Sequence, residues 1–535
     1  MKVTLAQINP TVGALKKNCS KIKEIINKYS SKSDIIVFPE MVLTGYPPQD
    51  LLFDSSFIMN AESLLEELAK STFETPVIIG TIRQCGLKLY NTAAVIQYGK
   101  IQAYRDKTHL PTYDVFDEHR YFTSAKLIDP VELTINNKLY KIGIQICEDL
   151  WDENYELKIC QLLHEKGAEL IINISASPYH VNRIFERTEA IKDKCRKLKL
   201  YFVYCNLVGA QDELVFDGQS CVVNPNGDMV ALSHDFIEHI QVVDIFKSQP
   251  IAKLDICEQE QIFKALSLGT RDYFNKSGHS KAVIGLSGGI DSALTAVIAK
   301  NALGADNVFG FSMPSQFSSK HSINDAKELA RNLAIHFKII PIQEINYIML
   351  QDLSPVFNDS QSGLAEENLQ ARIRGNILMS IANKKQALLL NTGNKTETAL
   401  GYCTMYGDMA GALAVISDLN KLQVYALANW FNKYIAEEII PYNSISKPPS
   451  AELKLEQIDP FDYDIVSPLV DILINEPGKF SELEKEGYDP ILIQDLLKKI
   501  RISEYKRRQS APGIRVSPKA FGLGRRYPII NAYGV

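Results

Sequence analysis

Three residues far apart in the first 150 positions have types that together could do amide chemistry. They are Glu40 in Val37-Phe38-Pro39-Glu40, Lys107 in Lys107-Thr108-His109-Leu110-Pro111, and Cys147 in Cys147-Glu148-Asp149-Leu150-Trp151. A free thiol has a pKa of about 8.5, so a cysteine nucleophile needs a base beside it. By itself Cys147 reads better as a buried structural cysteine. A second constellation lies near the middle of the chain. The apolar run Ala282 to Leu286 leads into Ser287-Gly288-Gly289-Ile290-Asp291-Ser292 and then into the helix-forming stretch Ala293 to Lys300. Small residues let backbone N–H groups approach an anion, a helix N-terminus adds positive dipole, and Ser287 and Ser292 offer hydroxyls, which together suit a pyrophosphate. A Walker A loop would need a lysine after the glycines, so ordinary γ-phosphoryl transfer is not implied. The plainer alternative is a Gly-Gly turn before a helix cap.

These residues need elements to carry them. Short β-rich runs alternate with helix-period segments, as in Lys2 to Ile8, Asn18 to Tyr29 and Ile35 to Phe38, which predicts an α/β fold. Several runs end in polar residues, including Ile142 to Cys147 and Leu170 to Ser175, as when buried strands deliver side chains at their carboxyl ends. A chain of 535 residues exceeds one core. The pattern becomes irregular after Asp244, so the expected division is a first domain over 1–245, a linker over 246–260 and a second α/β domain over 261–535.

Apolar residues at 46% and charged residues at 23% fit an ordinary globular protein. A net charge of -5, from 58 Lys and Arg against 63 Asp and Glu, argues against nucleic acid as a partner. With no apolar leader and no run of about 18 apolar residues, the reading is a cytoplasmic protein without membrane partners. Nine cysteines without CxxC spacing argue against a disulfide framework or a structural zinc site. His109 and His119 take structural roles by default.

The set F-P-E, K-x-x-L-P and C-E-D, in that order, resembles the nitrilase and amidase superfamily. That resemblance implies an α-β-β-α sandwich in which Glu40 is the general base, Cys147 the nucleophile and Lys107 the oxyanion stabiliser. It also implies that Tyr113, Ser177 and Arg183 anchor the α-amino and α-carboxylate groups of glutamine. Relatives often carry lysine at the Arg183 position, and arginine still supplies the charge.

The second constellation resembles the PP-loop ATP pyrophosphatases, which implies a doubly wound parallel sheet. Glu366 to Gly375, Asn391 to Glu397, Gly401-Tyr402 and Tyr406-Gly407-Asp408 narrow the resemblance to NAD synthetases. By that pattern Gly285, Leu286, Ser287, Gly288, Gly289, Ile290, Asp291, Ser292 and Thr392 contact ATP. Asn368, Glu397 and Lys506, the last in Tyr505-Lys506-Arg507-Arg508-Gln509, contact deamido-NAD, and Asp291 or Glu397 holds Mg2+. The stretch Asp462 to Leu469 departs from the leucine-proline-proline-tyrosine of many relatives, which leaves its loop geometry open.

Joined in one chain, the halves resemble the glutamine-dependent NAD synthetases. The resemblance implies glutamine, deamido-NAD and ATP as substrates, NAD, AMP and pyrophosphate as products, an internal ammonia tunnel, and a homo-oligomer, commonly an octamer. The rivals are another PP-loop glutamine amidotransferase and an ammonia-fed synthetase carrying an inert amidase scaffold.

Overall fold

The computed structural model describes residues 1–72, 74–252, 254–357, 363–454, 457–476 and 478–533. The chain divides into two compact units, Met1–Ile256 and Cys257–Val535. The expected linker spans that division, and its end is already helical, because the helix Glu258–Lys276 starts inside it.

The first unit is built on two six-stranded sheets. One runs in the order His239–Asp244, Lys2–Gln7, Ile35–Val37, Val77–Cys85, Lys88–Gln97, Lys100–Asp106. The other runs Met229–Leu232, Cys221–Val223, Tyr201–Asn206, Leu170–Ser175, Lys138–Ile146, Val131–Ile135. Alternation along the strands sorts their side chains to opposite faces. Val3, Leu5, Ile35 and Val37 from the first sheet meet Ile142, Ile144, Ile172, Ile174 and Val203 from the second in one buried cluster. The outer faces are covered by helices. Leu15–Tyr29 buries Cys19, Ile22, Ile25 and Ile26, a 3.6-residue stripe, in the layer over the first sheet. Ile159–Glu165 and Arg183–Leu198 pack over the second sheet through Leu163, Ile191 and Cys195. The result is the α-β-β-α sandwich expected of the first half.

The second unit has a five-stranded sheet in the order His336–Ile339, Val308–Ser312, Ala282–Gly285, Leu388–Asn391, Leu413–Ala414, with every pairing parallel. The chain winds outward from Ala282–Gly285 to one edge, then returns to the other side of that strand at Leu388–Asn391. These two neighbours therefore form the topological switch point, where open α/β sheets hold ligands beyond the carboxyl ends of their strands. The helix Ile290–Leu303 is apolar on nearly every side and is buried from Ser292 to Ala299, as a helix in the middle of such a unit must be. The divergent stretch Asp462 to Leu469 forms no open loop. Asp462 caps the helix Tyr463–Asn475 by accepting from the Asp464 N–H at 3.1 Å. Among the described residues no helix is long and apolar enough to cross a membrane.

Candidate active sites

Glu40, Lys107 and Cys147 each follow the carboxyl end of a strand in the first unit: Ile35–Val37, Lys100–Asp106 and Lys138–Ile146. Gly80 on a neighbouring strand makes room for the first. A Cβ there would lie 2.3 Å from the Pro39 carbonyl and 2.6 Å from the Glu40 Cα, so only glycine lets this backbone pass. The Glu40 carboxylate accepts from Asn91 Nδ2 at 2.7 Å, from the Ala176 N–H at 2.8 Å and from Lys107 Nζ at 2.9 Å. Lys107 Nζ also donates to Glu118 Oε1 at 2.8 Å, and Tyr46 O–H donates to the same oxygen at 3.0 Å. Lys107, Glu40 and Glu118 are all buried. Burial works against the lysine's charge, but Glu118 and Glu40 outweigh it and hold the ammonium protonated.

Cys147 is buried and has a φ of 41°, a left-handed conformation that costs a residue with a Cβ about 1–3 kcal/mol unless its surroundings enforce it. Burial pushes its thiol well above the usual range, and Glu40 adds to this against the pull of Lys107.

Two of the expected glutamine contacts, Tyr113 and Arg183, lie at Glu148, the residue after Cys147, and Ser177 follows Ala176, whose N–H bonds Glu40. Tyr113 O–H lies 3.0 and 2.9 Å from the two oxygens of Glu148, and Tyr155 O–H donates to Glu148 at 3.1 Å. Arg183 begins the helix Arg183–Leu198 and sits 3.9 Å over the Trp151 ring. Ser177 Oγ and Arg183 Nε are buried polar atoms with no hydrogen-bond partner among the described residues, while Arg183 Nη1 donates to Glu186 at 3.0 Å. The Ser177 N–H is fixed on Asn206 Oδ1 at 3.0 Å, and Asn206 Nδ2 donates to Asp217 at 3.1 Å. Asp217 in turn makes a two-pronged, fully buried pair with Arg187 at 3.1 and 2.8 Å. His109 stacks on Tyr155 with ring centres 3.9 Å apart and its Nε2 lies 3.0 Å from the Leu157 carbonyl.

In the second unit Ser287-Gly288-Gly289 turns off the strand Ala282–Gly285 at the switch point and feeds the helix Ile290–Leu303. Gly288 has a φ of 80°, and a Cβ there would fall 2.2 Å from the Ser322 carbonyl oxygen. Ser292 Oγ faces back across the turn, 3.3 Å from the Ser287 N–H and 3.0 Å from the Gly289 carbonyl. Thr392 follows the adjacent strand Leu388–Asn391, and Asn394 caps the helix Lys395–Leu400 that carries Glu397. Asn394 Nδ2 donates to Asp291 Oδ1 at 3.0 Å, which ties the two loops together. Between them stands Lys421, buried, with Nζ 2.6 Å from Asp291 and 3.5 Å from Glu397. Burial opposes its charge and the two carboxylates outweigh it, while burial and Asp291 push Glu397 up to about 8. Asn368 Oδ1 accepts from Thr404 Oγ1 at 2.7 Å. Lys506 Nζ donates to the Gly401 and Cys403 carbonyls, both at 2.7 Å, so it braces the loop behind Glu397.

Three residues of these sites, Glu118, Glu148 and Lys421, were not singled out as candidates from sequence. Glu148 had a signal, since it directly follows the nucleophile in C-E-D. Glu118 and Lys421 belong to none of the motif strings and are found only when folding brings a buried carboxylate to Lys107 and a buried ammonium to Asp291.

These two sites define the class: an amide-cleaving carbon–nitrogen hydrolase unit followed by a nucleotide-using synthase unit. Residues 2–249 match the family Carbon-nitrogen hydrolase, and residues 262–510 match the family NAD synthase. The Glutamine-dependent NAD(+) synthetase of Synechocystis sp. is 42% identical over 556 residues, covering 99% of both chains. The protein of that name from Thermotoga maritima is 40% identical over 576 residues, covering 100% of this chain and 99% of its own. The structure of the glutamine-dependent NAD+ synthetase from Acinetobacter baumannii in complex with ADP matches with a TM-score of 0.78 at 34% identity, over 99% of this chain and 98% of that one. The chain belongs to the glutamine-dependent NAD(+) synthetase family.

Proposed function

We propose that the protein makes NAD from deamido-NAD, using ATP to activate the carboxylate and glutamine as the nitrogen source. The observation that carries this reading is that Glu40, Lys107 and Cys147 meet in one unit of a chain whose other unit sets S-G-G-I-D-S at a switch point.

In the first unit glutamine lies with its α-carboxylate toward Arg183, its α-ammonium toward Glu148 and Tyr113, and the Ser177 hydroxyl as a further donor. Glu40 takes the thiol proton as the Cys147 sulfur attacks the carboxamide carbon, and Lys107 balances the charge that develops on the oxygen. The proton passes to the leaving nitrogen, so ammonia departs and a γ-glutamyl thioester remains. Glu40 then deprotonates water, which cleaves the thioester to glutamate and restores the thiol. Burial and Glu40 both hold the thiol proton in place against the pull of Lys107, which suits Glu40 to receive that proton as the sulfur attacks.

In the second unit the turn 287–292 cradles the phosphates of ATP, with Thr392 alongside. Asn368 and Glu397 hold deamido-NAD, and Lys506 supports them from the Gly401 loop. The deamido-NAD carboxylate attacks the α-phosphorus and pyrophosphate leaves toward Lys421. Ammonia from the first unit then displaces AMP to give NAD. Asp291 and Glu397 share a single counter-ion, and no larger group of His, Cys, Asp or Glu among the described residues is placed to hold a metal. That donor set suits Mg2+, which binds through one or two carboxylates and completes its shell with phosphate oxygens and water. Mg2+ bound there would neutralise phosphate charge as pyrophosphate separates. The same reading extends to a cytoplasmic homo-oligomer, an octamer, which light scattering of the purified protein tests.

The direct test is a product assay with deamido-NAD, ATP and glutamine. NAD, AMP, pyrophosphate and glutamate forming in equal amounts supports the reading; ATP consumed without AMP, or no NAD with either glutamine or ammonium, overturns it.

A further inference from the structure

Asp149 takes no part in the chemistry above, yet its carboxylate touches both pieces of backbone that present the reacting groups. One oxygen accepts from the Thr108 and His109 N–H groups at 3.1 and 2.8 Å, and the other from the Ile146 N–H at 3.1 Å. Thr108 and His109 are the two residues immediately after Lys107, and Ile146 immediately precedes Cys147. The side chain is 2% exposed, so water does not compete for these bonds. Its own carbonyl accepts from Gln145 Nε2 at 3.3 Å, which holds the turn 147–150 back onto the strand Lys138–Ile146.

We infer that Asp149 is a positioning residue for amide cleavage, clamping the segment that carries Lys107 to the turn that carries Cys147 and so setting the separation of oxyanion stabiliser and nucleophile. The inference rests on the roles given above to Glu40, Lys107 and Cys147. Two features set the clamp apart from an ordinary buried cap. First, while its bond to the Ile146 N–H closes a capping box on its own turn, its other oxygen reaches the Thr108 and His109 N–H groups 41 and 40 positions away, which no cap requires. Second, the Ile146 peptide it holds leads directly into the left-handed Cys147, a conformation that persists only where neighbouring groups enforce it. Lys107 is then fixed at every point: its N–H on the Asn91 carbonyl at 2.8 Å, its Nζ on Glu40 and Glu118, and the next two N–H groups on Asp149. Burial also pushes the Asp149 carboxyl up to about 7, opposed by these same N–H donors and by Lys107, so keeping it ionised costs the fold stability at neutral pH.

Asp149→Asn tests the clamp. The amide keeps the shape but replaces one acceptor oxygen by an NH2 group, so a donor faces a donor at one of the two segments. Since displacements near 1 Å can cost about 100-fold in rate, the expected result is a loss of kcat for glutamine hydrolysis of about that size with KM changed less than about threefold. Ammonium-supported NAD formation should match wild type. Asp149→Glu keeps the carboxylate and moves it by one methylene, so it should fold where the amide does not and still lose at least about tenfold in kcat. Glutamine kcat within about twofold of wild type in either variant overturns the inference, as does a parallel loss of ammonium-supported synthesis, which would mark Asp149 as merely structural. If Cys147→Ala still hydrolyses glutamine, the nucleophile has been misassigned, and that result separates failure of the underlying reading from failure of the clamp.

Discussion

Glu118→Gln changes the charge of the amidase site while leaving its shape nearly intact. In the wild type Lys107 lies 2.9 Å from Glu40 and 2.8 Å from Glu118, all three buried, so two negative charges and one positive leave a net charge of -1. The variant brings this to zero and exchanges an ion-paired hydrogen bond for one from the ammonium to a neutral amide oxygen. Bonds to charged groups contribute about 1.5–3 kcal/mol, which at about 1.4 kcal/mol per decade predicts a fall in kcat of about 10- to 100-fold. The thiol should respond in the opposite sense. Glu118 is among the carboxylates that oppose Cys147 ionisation, so removing its charge lowers the thiol pKa and speeds alkylation. Glutamate release and iodoacetamide labelling, measured on the same preparation, read both effects. Slower turnover with faster labelling is the expected pair. Unchanged turnover, or labelling that slows, would refute the role given to Glu118 in holding Lys107.

Other perturbations probe the scaffold and the second site. Arg187→Met leaves Asp217 as an unpaired buried charge and should destabilise the first unit by about 3–5 kcal/mol, with recovery in the double variant Arg187→Met/Asp217→Asn; equal denaturation curves for wild type and the single variant would contradict this. Gly288→Ala must fit a Cβ 2.2 Å from the Ser322 carbonyl at a φ of 80°, so NAD formation from either nitrogen source should disappear while glutamine hydrolysis continues, and normal synthesis would remove the phosphate-cradle assignment. Burial pushes Asp408 up to about 6, so relative to an unfolded carboxyl it favours the fold below about pH 4, and that contribution is lost as pH rises through about 6. Asp408→Asn should therefore gain thermal stability against wild type between pH 5 and pH 7.5, and a stability difference that is flat across that interval would show that burial does not govern Asp408.

The motif strings located the chemistry better than they located its surroundings. The apolar runs before Glu40 and Cys147 were readable as strands, so the placement of those two at strand ends followed from sequence, whereas Lys107 was located by its motif alone and its strand Lys100–Asp106 came from the fold. S-G-G-I-D-S lay between a β-rich run and a helical one, and it occupies the turn between strand and helix. Glu118 was illegible because it sits in the short helical turn Glu118–Arg120, among exposed charged neighbours, and is a site residue only through the buried ammonium it meets. Lys421 was hidden for the converse reason: it opens an ordinary Asn-capped helix, and its partners Asp291 and Glu397 are 130 and 24 positions away. The stretch Asp462 to Leu469 could not be placed by resemblance. Its own chemistry decides it, through the Asp462 cap and through Val466 and Leu469 buried against Leu496 and Ile500.

The central claim is that two chemistries in one chain are joined by ammonia made at Cys147. Cys147→Ala, assayed for NAD formation with ATP and deamido-NAD, tests it most directly when glutamine and ammonium are compared side by side. The account predicts that glutamine no longer supports NAD formation while ammonium supports it at the wild-type rate. Glutamine-supported synthesis that survives the substitution, or ammonium-supported synthesis that is lost with it, would contradict the account.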